Sequence, residues 1–364
     1  MSELFEHIDK LKQEESKVAV ATLVNTRGTT PRKEGAKMVV GEGGRILGSV
    51  TIGGCVDAQV IEESADVLSR NAPRLLELNL GDEEAWEIGL TCGGTIEVFV
   101  EPVTLDRPDQ ALAFYEKARA HADAGGRGAV LTRLDSPENS AKLLLLDSGA
   151  QEGTLGDPFL DRRFAAEAAD AVRVGKSRTL FLEGVRVFAE VFTPPAILLM
   201  VGAGHVSMPM ATLGNEMGFR TIVIDGRPRF ATRERFPDVH DLQIGIPSEL
   251  VQKVPLIATT ALVLLAHDYK YDVPVLRHAL GTPVGYIGLL GSSRRGAAIL
   301  NLLREDGVSE EALQRVRVPI GLDLGAQSAP EIALSIMAEI LMVQRGATGI
   351  AISEKVRRGI RGIK

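Results

Sequence analysis

The chain has 364 residues, which at one to two hundred residues per domain is enough for two domains with cores of their own. Its 41 basic and 48 acidic side chains leave a net charge of −7 and a pI near 5.6, excluding the basic field that condenses proteins on nucleic acid or anionic lipid. The longest apolar runs, 196–201 and 261–266, are strand-sized and far short of the roughly 18 residues that span a bilayer. Residues 1–17 mix acids and lysines without the apolar segment of a signal peptide, so a cytoplasmic protein with no membrane and no nucleic-acid partner is expected. Two cysteines, Cys55 and Cys92, exclude a disulfide scaffold and suit a reducing compartment.

In chain order, alternating apolar residues predict strands at 17–24, 37–40 and 95–100, with helices at 56–69 and 109–124. Strand patterns at 129–134, 141–146 and 185–192 surround a polar stretch, 148–176, that carries no chemical motif and reads as scaffold. No internal repeat is apparent. Thr193-Pro194-Pro195 interrupts two apolar runs and marks a boundary, giving an α+β domain over 1–192 and a second domain over 196–364. In the second domain, continuously apolar strands at 196–201, 221–224, 261–266 and 284–290 alternate with helical patterns. That order predicts a parallel sheet covered on both faces, an α/β Rossmann-like doubly wound domain. Ser328, three residues before Glu331, is a capping-box signature opening a last helix to about Arg345.

Two places concentrate chemistry. Gly53-Gly54-Cys55 runs into a helix, where free amides and the dipole favour thiolate; Cys92-Gly93-Gly94 precedes a strand, again with a glycine pair beside a sulfur. Two soft ligands are too few for a closed zinc site, and a buried thiol acting as a small hydrophobe is the plain alternative for each. In the second half, Gly202-Ala203-Gly204-His205 follows a strand and opens a helix, the setting of an anion-binding turn, with Ser207 in place of a third glycine. Asp225 ends the next strand at about the 20-residue spacing of a ribose-binding acid. His205, Asp225 with Arg227, His267 with Asp268, and Ser292 all fall at the carboxyl edge of the predicted sheet, where open α/β folds hold ligands. Arg294 and Arg295 start a helix and could hold a phosphate; solvated arginines are the plain alternative. In the last helix, Glu339 sits in an apolar setting that demands a donor, in a cleft or in a subunit contact.

Taken together, several segments resemble the xanthine dehydrogenase accessory factor family, XdhC/CoxI. They are Arg27-Gly28-Thr29-Thr30-Pro31-Arg32, Gly35-Ala36-Lys37-Met38, the Gly53-Gly54-Cys55 turn, Cys92-Gly93-Gly94, Val201-Gly202-Ala203-Gly204-His205, Arg235-Phe236-Pro237, His267-Asp268, Tyr286-Ile287-Gly288 with Gly291-Ser292, and Pro319-Ile320-Gly321-Leu322. Asp57 departs from a glutamate usual in that family. The resemblance implies a maturation chaperone rather than a catalyst: a protein that binds molybdenum cofactor (molybdopterin), supports its sulfuration by a partner cysteine desulfurase and delivers it to a molybdenum hydroxylase client. Cys55 and Cys92 would then face the molybdenum, and the glycine-rich turn the phosphate, with the cofactor expected between the domains. The competing reading is an NAD(P)-dependent oxidoreductase in which Asp225 selects the nucleotide and His205 or His267 is acid or base. The apolar last helix leads to the expectation of a homodimer.

Overall fold

The computed structural model describes residues 2–12, 14–28, 30, 32–80, 94–107, 109–135, 141–266 and 268–358. The chain divides into two compact units, Met1–Pro194 and Pro195–Lys364, parting between the paired prolines. No helix among the described residues is long and apolar enough to cross a membrane.

The first unit opens with α1 (Ser2–Leu11), β1 (Lys17–Gly28), β2 (Lys37–Gly41), β3 (Ile46–Gly48), α2 (Cys55–Arg70), β4 (Arg74–Asn79) and β5 (Gly94–Thr104). These strands form an antiparallel sheet in the order β3-β2-β1-β5-β4. A second series follows: α3 (Gln110–Asp123), β6 (Gly128–Arg133), β7 (Lys142–Leu146), β8 (Gln151–Gly153), α4 (Pro158–Val174), β9 (Arg178–Leu182) and β10 (Val185–Phe192), with the sheet order β8-β7-β6-β10-β9. The two series are the same arrangement, a repeat of structure that the sequence reading does not find. Helix α2 packs Val60, Val67 and Leu68 on one sheet, and α4 packs Phe164, Ala168 and Val172 on the other. Burying each of the larger of these side chains contributes about 1.5–3 kcal/mol.

Helix α4 lies in the polar stretch read as motif-free scaffold. Its signals are local: Asp157 accepts from the Phe159 amide at 2.7 Å, Pro158 stands at the start where a missing N–H costs nothing, and Gly175 closes it at φ +72°. The four-residue spacing of Phe164, Ala168 and Val172 supplies the buried stripe.

The second unit contains β11 (Ile197–Val201), α5 (Ser207–Glu216), β12 (Arg220–Asp225), β13 (Asp241–Ile244), β14 (Thr260–Leu264), α6 (Tyr269–Leu280), β15 (Tyr286–Leu289), α7 (Ser293–Glu305), β16 (Val316–Arg317) and α8 (Ala329–Gln344). Its sheet runs β13-β12-β11-β14-β15-β16 and its strand pairs are parallel. This is the doubly wound order, with its switch point between β11 and β14. Period-two alternation sends Leu199, Val201, Leu262 and Leu264 to the core containing α6 and α7. Leu198, Met200, Ala261 and Val263 go to the core containing α5 and α8. Glu339 on α8 is held within the unit: it accepts from the Tyr286 hydroxyl at 2.6 Å and the Gly321 amide at 3.0 Å, and pairs with Arg317 at 3.3 Å. Burial first, and then this carboxylate, push the Tyr286 hydroxyl well above its ordinary range. The expected cleft or subunit role is replaced by a bolt between the last helix and the sheet.

Candidate functional site

Helix α2 starts at Cys55 itself. Gly53 and Gly54 both have φ +98°, a left-handed backbone that only glycine adopts without strain. A Cβ on either would meet no described atom within 4 Å, and the backbone twist is what demands glycine here. Asp57, only 6% exposed, gathers the loop. It accepts from the Ser49 hydroxyl, the Thr51 amide at 3.2 Å and hydroxyl at 3.0 Å, and the Gly53 amide at 2.9 Å. Arg32, from the Arg27–Arg32 motif, donates to the Ser49 carbonyl at 2.7 Å and fixes the loop from outside. Among the described residues no side chain caps the helix start at Gly54, which leaves first-turn amides for an anionic group. Beside it Ile52 stands 81% exposed. Gly94 opens β5 opposite Gly28, and its carbonyl accepts from the Leu80 amide at 2.9 Å. Cys92 and Gly93 lie outside the described residues, as does His267.

In the second unit the predicted Gly202, Asp225 and Asp268 come together, lining one pocket with Gly226, Arg227, Pro247, Ala266 and Tyr271. The pocket spans the switch point but holds only about 110 Å³, against the several hundred that a drug-sized ligand fills. A Cβ on Gly202 (φ +112°) would fall 2.5 Å from the Ala266 nitrogen, so this glycine is required by packing of β11 against β14. Gly204 differs: the nearest described atom to its missing Cβ is the Leu265 carbonyl oxygen at 3.9 Å, so no described residue crowds it. Ser207, at the third-glycine position, donates its buried hydroxyl to the Gly202 carbonyl. Close approach of α5 to the sheet falls instead to Gly214, whose Cβ would press on Leu198 and Thr221 at 2.7 and 2.9 Å.

Asp225, 3% exposed, does not wait for a ribose. One oxygen accepts from the Ala203 amide at 2.6 Å and Arg227 Nη2 at 2.8 Å; the other accepts from the Arg227 amide at 2.8 Å and Nε at 3.0 Å. Its four lone-pair sites are occupied. Burial pushes this carboxyl up, but the Arg227 guanidinium and the two backbone amides outweigh it and hold the group below its ordinary range. Arg235 donates to the Ala203 carbonyl at 3.0 Å, so the central residue of the glycine turn is gripped at its amide by the end of β12 and at its carbonyl by the segment that follows. Phe230 receives both guanidinium faces, Arg227 at 4.1 Å and Arg235 at 5.4 Å from its ring centre.

The remaining predicted residues do not join this pocket. His205 is exposed and makes no hydrogen bond to a described residue. Ser292 caps α7 by accepting from the Arg295 amide at 3.3 Å, and Arg294 is exposed. Arg295 instead pairs with Asp272, a buried residue on α6 that the sequence reading overlooks. Burial raises the Asp272 carboxyl to about 6 against the lowering pull of Arg295, with Asp268 adding to the rise. One of its oxygens has no hydrogen-bond partner among the described residues. Its available signal is position: four residues after Asp268, on the same helix face, among apolar neighbours. Asp57 and Arg235 are the other contributors whose roles appear only in three dimensions.

Comparison with known proteins agrees with the motifs. A family model described as the XdhC and CoxI family matches residues 11–79, and one described as the XdhC Rossmann domain matches residues 198–340. A probable xanthine dehydrogenase subunit from Bacillus subtilis (strain 168) is 26% identical over 340 residues, 93% of this chain and 96% of that protein. The molybdenum cofactor insertion chaperone PaoD of Escherichia coli (strain K12) is 28% identical over 326 residues, covering 89% of this chain and 83% of its own. A crystal structure of a xanthine dehydrogenase from Bacillus halodurans is similar with a TM-score of 0.76 at 25% identity, over 96% of this chain and 97% of that one. With the glycine-paired turn in its first unit and the doubly wound sheet in its second, this chain belongs to the XdhC/CoxI family.

Proposed function

We propose that the chain is a maturation factor that binds molybdenum cofactor, shelters it while a partner cysteine desulfurase supplies the terminal sulfido ligand, and passes it to a molybdenum hydroxylase of the xanthine dehydrogenase type. The observation that carries this reading is the likeness, over 89% of the chain, to a protein named as a molybdenum cofactor insertion chaperone. The residues fit such a cargo. A thiol on the first residue of a helix is a soft donor for a thiophilic metal, and the two glycines that precede it carry no side chain. Cys92, with Gly93 and Gly94, would supply the second sulfur. In the second unit, the open face of Gly204 and the exposed His205 and Arg294 suit the anionic tail of a pterin. A cytoplasmic homodimer that carries rather than converts its guest completes the proposal.

Use of NAD(P) gains no comparable support. A ribose diol could reach Asp225 only by displacing Arg227 from a carboxylate whose acceptor sites are already filled. The test is ligand content. Protein purified from a host that makes the cofactor should carry molybdenum and pterin fluorescence in near-equal amounts and activate an apo-hydroxylase in vitro. Neither signal above a Cys55→Ala/Cys92→Ala control, together with micromolar NADH binding, would overturn the reading.

A further inference from the structure

The two series of the first unit agree far beyond strand order. In β1–β2, Thr22 lies opposite Lys37; in β6–β7, Thr132 lies opposite Lys142. Each lysine donates to its threonine, at 2.7 and 2.9 Å. Glu101 on β5 faces Val20, and Glu190 on β10 faces Val130. Gly48 and Gly153 end β3 and β8 with positive φ, and the next amides, of Ser49 and Thr154, return to the Lys37 and Lys142 carbonyls at 3.1 and 2.9 Å. The hydroxyls of Ser49 and Thr154 then donate to Asp57 and Asp161. Along the helices, Val60, Ser64 and Leu68 occupy the places of Phe164, Ala168 and Val172. Left-handed Asn71 and Gly175 close them, and Arg74 pairs with Asp66 as Arg178 pairs with Asp170.

The buried charges connect the series crosswise. Lys37 pairs with Glu190 and Lys142 with Glu101, each at 2.9 Å, and both lysines flank the Tyr115 ring, at 5.4 and 5.1 Å from its centre. Unpaired, any of these groups would be costly to bury. Each series therefore neutralises the other, as two copies related by a twofold axis would.

We infer that the first unit is a tandem duplication of one αβββαββ module, joined by reciprocal Lys–Glu pairs, in which only the first copy carries the glycine-paired loop. The copies differ there by a single residue. Thr51, whose amide turns back to the Ser49 hydroxyl, matches Gly156, whose amide turns back to the Thr154 hydroxyl. Exposed Ile52 then has no counterpart, and Gly53, Gly54 and Cys55 stand where the second copy has Asp157, Pro158 and Phe159. In the second copy the helix start is sealed by the Asp157 cap; in the first no described side chain caps it. Asp161 shows that Asp57 is a positioning residue, since the same carboxylate frames a loop without a thiol. That the first loop is the working one rests on the function proposed above; the duplication does not.

The test is a graft into the full chain. In a Cys55→Ala/Cys92→Ala background, residues 156–159 are replaced by Thr-Ile-Gly-Gly-Cys, and iodoacetamide alkylation of the new thiol is followed against pH beside Cys55 in the Cys92→Ala chain. Equivalence predicts a folded protein whose rates match those of Cys55 within a factor of about three across the profile. A folded graft differing by more than about tenfold, or a graft that fails to fold where Phe159→Cys alone folds, would overturn it. If neither folds, thermal-shift cycles with Lys→Met and Glu→Gln decide. Coupling must be equal for Lys37/Glu190 and Lys142/Glu101 and larger than within either copy, and the reverse overturns the inference. If both thiols behave as ordinary free cysteines, the loops remain equivalent and it is the thiolate reading of Cys55 that falls.

Discussion

Two glycine turns lead into helices in this molecule, and they are built for opposite ends. The turn before α5 is closed: Gly202 is pinned against Ala266, and Ala203 is held by Asp225 at its amide and Arg235 at its carbonyl. The turn before α2 is open among the described residues: its glycines adopt left-handed backbone with no described atom within 4 Å of a Cβ on either, while a buried carboxylate holds the loop. A glycine motif after a strand is therefore not by itself a nucleotide site. Whether its amides are spent internally decides what it can bind.

The comparison breaks most visibly at Gly202. Gly202→Ala should destabilise the fold by roughly 3–5 kcal/mol, because it adds both a backbone clash and left-handed strain. Gly53→Ala, with strain alone, should cost about 1–2 kcal/mol. Equal losses in thermal unfolding would erase the distinction between the turns.

Asp225→Asn should cost about 2–3 kcal/mol near neutral pH, by leaving Arg227 and the Ala203 amide poorly matched. Because the folded carboxyl lies below its unfolded value, its contribution is present above about pH 4 and is lost as pH falls through the folded pKa. The gap between wild type and variant should thus narrow in acid. A gap that widens there would contradict the clamp.

Asp272 should behave with the opposite sign. Its folded carboxyl titrates near 6, above the unfolded value of about 3.9. The stability it contributes is complete below about pH 4 and declines as pH rises through 6. Asp272→Asn should remove that decline from a stability–pH curve; an unchanged curve would show that Asp272 does not retain its proton. The smallest effect belongs to Gly204→Ala, expected to change stability by less than about 1 kcal/mol, since no described atom comes nearer than 3.9 Å to the added Cβ. A large loss would mean that Gly204, like Gly202, is structural.

Much of this architecture was legible in residue order. Continuous apolar runs announced β11, β14 and β15, and Ser328 with Glu331 announced α8, where the capping box forms. Helix α4 escaped because its buried stripe is mostly alanine within a polar segment. The repeat escaped because its matching residues, such as Lys37 with Lys142 and Arg74 with Arg178, are scattered among unlike neighbours and offset by the extra residue at Ile52. In the site, Gly53-Gly54-Cys55 could be read directly, since positive φ and a helix start leave a compositional trace. The filling of Asp225 could not. A carboxylate that meets Arg227 two residues away and one that meets a ribose are the same letter, and the Arg235 grip joins residues 32 positions apart.

The central claim is that the open turn of the first unit, and not the closed turn of the second, handles the metal end of the cargo. Its most direct test is the equilibrium affinity of the purified full-length protein for molybdenum cofactor, read by pterin fluorescence, in wild type, Cys55→Ser and Arg227→Ala. The account predicts at least about tenfold weaker binding for Cys55→Ser and none of that loss for Arg227→Ala. Undiminished affinity in Cys55→Ser together with lost affinity in Arg227→Ala would contradict it.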